Sequence, residues 1–421
     1  MIVGISGPFP TRAFSVWRGQ SSRSIRNWQL TCLLIAVSVA CGWTAWSGHV
    51  LTLPVAVLFP ALWRMSPSRP TAALVSAGYF LAASRGLPQG VANFYAADLW
   101  PGLLLWTAAS LSFAGVHAAL WKGQPEGKSP REGRTGMAMA ARYLAAAMLM
   151  GLPPFGITGW AHPLTATGVL FPGWGWWGLV AMTAGLAMMT SRYWPAAAIV
   201  LGGFWLWSTA TWTSPNLPEG WKGVDLEQGQ KLGRDGSLDY HRDLIATVRA
   251  AAGEKTRFIV LPESALGFWT PTVARLWSQG LRGSELTVIA GAAVIDPSGY
   301  DNVMVAISAD EARILYRERM PVPVSMWQPW RAWTGQGGGA RANLFGNPVV
   351  QNDGQKLAAL ICYEQLLLWP VLQSMLHSPT AIVAPGNGWW AAGTSIVAIQ
   401  NVSVMAWAKL FGLPVVTAFN R

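Results

Sequence analysis

The chain has 421 residues and a formal charge of +11, with 52% hydrophobic residues against only 12% charged. Soluble domains carry about 25% charged residues, so the composition excludes an ordinary water-soluble globule and a disordered tail and points to a polytopic membrane protein. The charge is unevenly placed: residues 1–212 hold 13 Lys and Arg against the acids Asp98, Glu126 and Glu132, whereas residues 213–421 are nearly neutral.

In chain order, a basic segment over residues 1–27 precedes a predicted membrane domain over 28–212. Seven apolar stretches read as spans: Trp28–Ser47, Val50–Trp63, Pro70–Ser84, Leu99–Trp121, Met137–Pro154, Gly168–Thr190 and Tyr193–Trp212. A span needs about 20 apolar residues, so the second and third are short, and one re-entrant hairpin is the alternative there. Arg12, Arg18, Arg23 and Arg26, then Arg64 and Arg69, the cluster from Lys122 to Arg142, and Arg192 all fall on one side of this arrangement. Only Arg85 falls on the other. Lys and Arg near span ends are retained in the cytoplasm. The reading is therefore a multi-pass protein of the bacterial inner membrane, N-terminus cytoplasmic, with residues 213–421 as a periplasmic domain. The first span is expected to act as an uncleaved signal anchor. The basic residues belong to loops and form no stripe interleaved with aromatics, so direct nucleic acid binding is not expected. The loop over residues 122–134 suits anionic lipid head groups.

Beyond residue 223 the pattern becomes short strands alternating with helices. Strands are predicted at Val224–Glu227, Phe258–Leu261, Leu286–Val294, Asn302–Ile307, Leu357–Cys362, Ala381–Ala384 and Pro414–Thr417. Helices are predicted at Leu238–Ala252, Leu367–His377 and Ile396–Phe411. This is the signature of an α/β layer. Three strand ends carry candidate chemistry: Leu261-Pro262-Glu263-Ser264, Ile361-Cys362-Tyr363-Glu364 and, between them, Tyr316-Arg317-Glu318-Arg319-Met320-Pro321. A carboxylate and a thiol at one sheet edge make a general base and a nucleophile. Cys362 is the one cysteine of its domain, and the domain faces an oxidising compartment, where an unpaired thiol is unusual without a role. Cys32 and Cys41 lie in the first span and read as structural. The five histidines show no ligand spacing, so neither a metal nor another cofactor is expected. Trp327, Trp330 and Trp333 precede the run Gly335–Gly339 and read either as a lid at the membrane interface or as a loop packed on its own domain.

At these residues the sequence resembles the carbon–nitrogen hydrolase (nitrilase) superfamily. The similar segments are VDLEQGQ at Val224–Gln230, LPESAL at Leu261–Leu266, LICYE at Leu360–Glu364 and PGNGWW at Pro385–Trp390. The preceding bundle of spans is similar to the branch that contains apolipoprotein N-acyltransferase. Within it, ANFYAA at Ala92–Ala97, RMPVPVSMWQPW at Arg319–Trp330 and LICYEQLLLWPVLQS at Leu360–Ser374 resemble conjugal-transfer proteins of bacterial plasmids. The resemblance implies an α-helical transmembrane bundle followed by an αββα sandwich, with Cys362 as nucleophile, Glu263 as general base and Glu364 as a supporting acid. Tyr363 would supply a backbone N–H to the oxyanion. The family's lysine, which lies just before a Met-Pro step, is matched here by Glu318, flanked by Arg317 and Arg319. Arg319, or else Arg317, is the expected replacement cation, since loss of one oxyanion donor costs about 10²–10³ in rate.

The expected activity is Cys-dependent acyl transfer or amide C–N hydrolysis on a membrane lipid, a lipid-linked group or an envelope peptide, in contact with the conjugation apparatus. The alternative is a catalytically degenerate domain serving as a binding or assembly module. A transporter ranks last, for want of intramembrane charge.

Overall fold

The computed structural model describes residues 13–123 and 132–421. The first eleven residues of the expected cytoplasmic segment, Arg12, and most of the basic loop lie outside the described residues. The N-terminal half is a helical assembly. Helix α1 (Ala13–Ala45) is followed by a 3₁₀ stretch, Val50–Leu58, that runs into α2 (Phe59–Met65), then by α3 (Arg69–Ala83), α4 (Leu87–Tyr95) and α5 (Leu99–Leu120). After these come α6 (Glu132–Gly151), the single turn α7 (Thr167–Leu170), α8 (Gly175–Met189) and α9 (Trp194–Ala210). Two of these, over Asn27–Ala45 and Leu99–Leu120, are long and apolar enough to cross a membrane; the others are shorter. The expected second span is largely 3₁₀, with Pro54 inside it, where a missing N–H breaks the α-helical ladder. Helix α4 was not anticipated, because Pro88 and Gly90 interrupt its short apolar run.

The C-terminal half is a four-layer αββα sandwich. Its elements are β1 (Trp221–Gly223), α10 (Leu238–Ala251), β2 (Phe258–Val260), α11 (Pro271–Gly280), β3 (Thr287–Asp296), β4 (Gly299–Ile307) and β5 (Ala312–Arg317). They continue as α12 (Trp330–Trp333), β6 (Val350–Asn352), β7 (Gln355–Ala359), α13 (Leu368–Met375), β8 (Ala381–Asn387), α14 (Ile396–Phe411) and β9 (Val415–Asn420). One sheet runs β1-β2-β3-β4-β5 and the other β6-β7-β8-β9. The neighbours β1, β2 and β3 are parallel, as are β7, β8 and β9, while the pairs β3–β4, β4–β5 and β6–β7 are antiparallel. The two sheets face each other across a core that includes Phe258, Val260, Ile289, Leu357, Val383 and Val416.

Helix α10 shows how sequence sets the outer layer. Ser237 accepts the Tyr240 N–H at 3.2 Å and caps it, and His241, Leu244, Ile245 and Val248 recur at helical spacing to bury one face on the first sheet. Helix α14 is apolar over most of its surface because it is covered on two sides. Val404, Trp407 and Leu410 pack with the second sheet, while Ile396, Ile399 and Ala406 pack with the helical assembly. Contact there is closest at Gly168 of α7, where a methyl group would lie 1.7 Å from the Ala406 carbonyl oxygen. This contact brings the sandwich and the helical half into one packed body, with the chemistry-bearing strand ends near the seam.

Candidate active site

Glu263 and Cys362 leave the two facing sheets at the ends of β2 and β7. Between them the chain must pass close to β3: a methyl group on Gly291 would lie 2.5 Å from the Glu263 Cα. Cys362 has φ 42°, a left-handed conformation that is costly for a residue with a side chain and persists only where neighbours enforce it. The enforcement is visible. Glu364 accepts the Ile361 N–H at 2.8 Å, Gln365 donates to the Leu360 and Pro385 carbonyls, and Gln400 of α14 donates to the Cys362 carbonyl at 2.9 Å. Gln400 Nε2 also lies 3.6 Å from the Cys362 sulfur.

The thiol and the Glu263 carboxyl are neighbours, and the backbone N–H of Asn387 lies beside both. Asn302 Nδ2 donates to Glu263 Oε1 at 2.7 Å, while Oε2 has no well-aligned donor. Burial pushes the Glu263 carboxyl above the ordinary carboxylate range, and the adjoining thiol and amide donors pull it back. Burial, followed by the negative charge of Glu263, pushes the Cys362 thiol well above its usual value. The resting pair is thus a neutral S–H beside a carboxyl group, the state from which a general base takes a proton as attack begins.

The residues flanking this pair fall into different places. Glu364 is fully buried; its Oε1 accepts from Tyr316 Oη at 2.7 Å and from the Arg319 N–H at 2.8 Å. The structure corrects the expectation that Arg319 serves as the site's cation. Its guanidinium is fully buried and its N–H groups go to Tyr316, Glu364, Gln373 and the carbonyls of Pro370 and Ala359. Arg319 does not line the cavity containing the thiol. Arg317 is also elsewhere, paired with Asp301. Glu318, buried at 1% exposure, receives the second Asn302 hydrogen bond at 2.8 Å on Oε2, and its Oε1 is unpartnered. The Tyr363 hydroxyl donates to the Ile157 carbonyl at 3.0 Å and so ties the Cys362 turn to the helical half.

Cys362 and Glu263 open on a cavity of about 890 Å³. One wall is Leu87, Val91, Phe94 and Tyr95 of α4 with Leu105 of α5; the opposite wall includes Phe268, Ile295 and Trp389 of the sandwich. Val322–Met326 close one side, whereas the three tryptophans that follow do not line the cavity. Trp327 is half-buried against the helical core, Trp330 is exposed, and Trp333 is 85% exposed. Sequence reasoning missed Asn302, Tyr300 and Gln400, which sit in ordinary strand and helix patterns; Asn387 belonged to the PGNGWW segment and was within reach. Among the described residues, no group of three or more His, Cys, Asp or Glu side chains is placed to hold a metal ion.

The sequence profile of the carbon–nitrogen hydrolase family matches residues 81–409. The chain is 71% identical over 420 residues, the whole of both chains, to conjugal transfer protein TraB of Agrobacterium fabrum. It is 61% identical over 388 residues to a probable conjugal transfer protein TraB of Sinorhizobium fredii, covering 92% of this chain and 97% of that one. Among solved structures, an amidase from Nesterenkonia sp. aligns at 11% identity and TM-score 0.35, over 49% of this chain and 78% of that one. A carbon–nitrogen hydrolase from Helicobacter pylori aligns at 14% identity and TM-score 0.35, over 47% and 73%. By the family profile and by full-length identity, the chain belongs to the carbon–nitrogen hydrolase family, within the TraB conjugal transfer proteins.

Proposed function

We propose that this protein acts in plasmid conjugal transfer as a multi-pass inner-membrane enzyme, carrying out Cys-dependent acyl transfer or amide C–N hydrolysis on a membrane lipid, a lipid-linked group or an envelope peptide. The observation that carries the reading is the Cys362 thiol beside the Glu263 carboxyl, opening on a large cavity with one wall made of apolar helices. Glu263 takes the sulfur's proton, the thiolate attacks an acyl carbonyl carbon, and an S–C bond forms. Collapse of the tetrahedral adduct breaks the bond to the leaving amine or alcohol, which receives the proton back. Water or an acceptor amine then attacks the thioester and releases the thiol. The Asn387 N–H, beside the thiol, is suited to support the charge that develops there.

A membrane location is supported by the charge asymmetry of the first 212 residues and by the two helices over Asn27–Ala45 and Leu99–Leu120. Reporter fusions after residues 123 and 212 test the orientation; a cytoplasmic signal at 212 would overturn the periplasmic assignment.

One observation favours a second reading, a binding or assembly module that has lost catalysis: the family's lysine position holds a buried carboxyl, Glu318. Two measurements on the full chain separate the readings. Cys362→Ala, expressed at the parental level, is expected to abolish the protein's contribution to conjugation. A thiol-reactive acyl probe is expected to label Cys362 faster than Cys32, with Glu263→Gln removing the excess. An inert Cys362 together with undiminished conjugation in Cys362→Ala would leave the module.

A further inference from the structure

Two carboxyl groups hang on one amide. Asn302 Nδ2 donates to Glu263 at 2.7 Å and to Glu318 at 2.8 Å, so the accepting oxygens are close neighbours, and both residues are at most 3% exposed. Two adjacent buried carboxyl groups do not both ionise unless a cation compensates them.

The charged and titratable groups around Glu318 supply no such cation. From β4 come Tyr300 and Asp301, and Asp301 is already engaged by Arg317 and Arg341. From β5 comes Tyr316, which donates to Glu364. Arg319 follows directly, and its guanidinium pairs with Glu364 and is saturated by carbonyls. From the nucleophile turn come Cys362 and Glu364, and from the end of β2 comes Glu263. Among these described groups, every guanidinium is committed to Asp296, Asp301 or Glu364.

The two carboxyls are also unequal. Glu263 has the Asn302 bond, the neighbouring thiol and the Asn387 N–H. Glu318 has the Asn302 bond alone and does not line the cavity that Glu263 shares with the thiol and Asn387, while each carboxyl keeps one buried oxygen without a partner, Oε2 on Glu263 and Oε1 on Glu318.

We propose that Glu263 and Glu318 share a single negative charge across Asn302, with the proton resident on Glu318, which is a neutral positioning residue that leaves Glu263 as the ionised carboxylate facing the thiol. The proposal rests on the Cys362–Glu263 reading above. It explains how a carboxyl group can occupy the place where the resemblance expects an ammonium without opposing thiolate formation: a neutral acid supplies no attraction, but it adds no repulsion. Burial and the negative charges of Glu263 and Glu364 push Glu318 in the same direction, well above the ordinary carboxylate range.

The test uses the full chain in lipid nanodiscs at neutral pH. Infrared difference spectroscopy is expected to show the C=O stretch of a buried protonated carboxylic acid in the parent protein, absent in Glu318→Gln and kept in Glu263→Gln. A band that survives in Glu318→Gln, or that disappears in Glu263→Gln, overturns the assignment. Iodoacetamide alkylation of Cys362 adds a kinetic readout: Glu318→Gln is expected to stay within about threefold of the parent. An acceleration of about tenfold, one pK unit of relieved repulsion, would mean that Glu318 is ionised and overturn the proposal. Should Glu318→Gln not fold, the parent and Glu263→Gln spectra still decide. An inert Cys362 in the parent would sink the acyl-transfer reading, whereas the infrared band judges Glu318 independently.

Discussion

Asn93 and Trp390 are joined by a 3.0 Å hydrogen bond between segments 297 residues apart, the Asn93 amide donating to the Trp390 carbonyl. The same nitrogen donates to the Ala392 carbonyl at 3.0 Å, and Phe94 stacks on Trp389 with ring centroids 5.8 Å apart. Helix α4 therefore clasps the loop after β8 that borders Glu263 and Cys362. Asn93→Ala removes both bonds, and a net loss of about 1–3 kcal/mol is expected. Thermal unfolding should report it, and Cys362 should label more slowly with an apolar acyl probe while keeping its rate with small iodoacetamide. Equal slowing with both reagents would argue that the clasp positions the thiol and leaves the cavity wall unaffected.

Arg319 and Glu364 test whether a residue near Cys362 serves stability or chemistry. Both side chains are fully buried, and Arg319 is held by one carboxylate, one hydroxyl and several carbonyls. Removing one partner of a buried pair typically costs about 3–5 kcal/mol, because the other charge is left uncompensated. Glu364→Gln is expected to lose stability on that scale in denaturant unfolding. Asp225→Asn, which breaks an exposed pair with Arg421, should cost no more than about 1 kcal/mol. A stable Glu364→Gln with a selective loss of thiol reactivity would instead place Glu364 in the chemistry.

Much of the sandwich was legible in the sequence because its strands are short apolar runs bounded by turn residues. The prediction for α14, Ile396–Phe411, matches residue for residue, and β3 and β8 were found with shifted ends. Strand β1 was misplaced, expected at Val224–Glu227 but found at Trp221–Gly223, where Lys222 and Gly223 hide the short run; β5 and β6 were missed, since Ala312–Arg317 carries Arg313 and Arg317 at the sheet's rim and Val350–Asn352 is too short to show alternation. The pairing of Glu263 with Cys362 was legible from two strand ends. The fate of Arg319 was not, since a guanidinium beside a motif looks the same whether it faces a cavity or a ring of carbonyls. Asn302 gave no signal, because its role comes from two partners distant in sequence, 39 and 16 residues away.

The buried carboxyls set a pH dependence of stability whose sign follows from where the proton stays. Glu263 and Glu318 both hold their protons above the unfolded value of 4.5, chiefly through burial. The folded state then binds more protons than the unfolded state above that value. Their contribution is complete below about pH 4.5 and is lost as pH rises toward the folded values, at up to about 1.4 kcal/mol per pH unit for each proton. Asp296, held down at about 2 by Ser298 and Arg341, acts in the opposite sense only as pH falls below the ordinary carboxylate range. Denaturant midpoints between pH 5 and 8 should therefore fall with pH in the parent and less steeply in Glu318→Gln. Parallel profiles would mean that Glu318 carries no proton in the folded protein.

Gly291 connects backbone packing to chemistry. A Cβ at this position would lie 2.5 Å from both the Glu263 Cα and the Ser264 nitrogen, and these are backbone atoms that no rotamer change can move away. Ser264 already adopts φ 65°, so the segment has little freedom to absorb a shift. Gly291→Ala is therefore expected to displace the Glu263 carboxyl from the thiol. A misplacement near 1 Å costs about 10²-fold in rate, so Cys362 labelling should fall by about that factor, with an overpacking cost of about 1–3 kcal/mol. Gly202→Ala in α9, where a methyl group meets nothing within 4 Å, serves as the control and should leave labelling unchanged. Unimpaired labelling in Gly291→Ala would mean that the carboxylate at the end of β2 is not the base that activates Cys362.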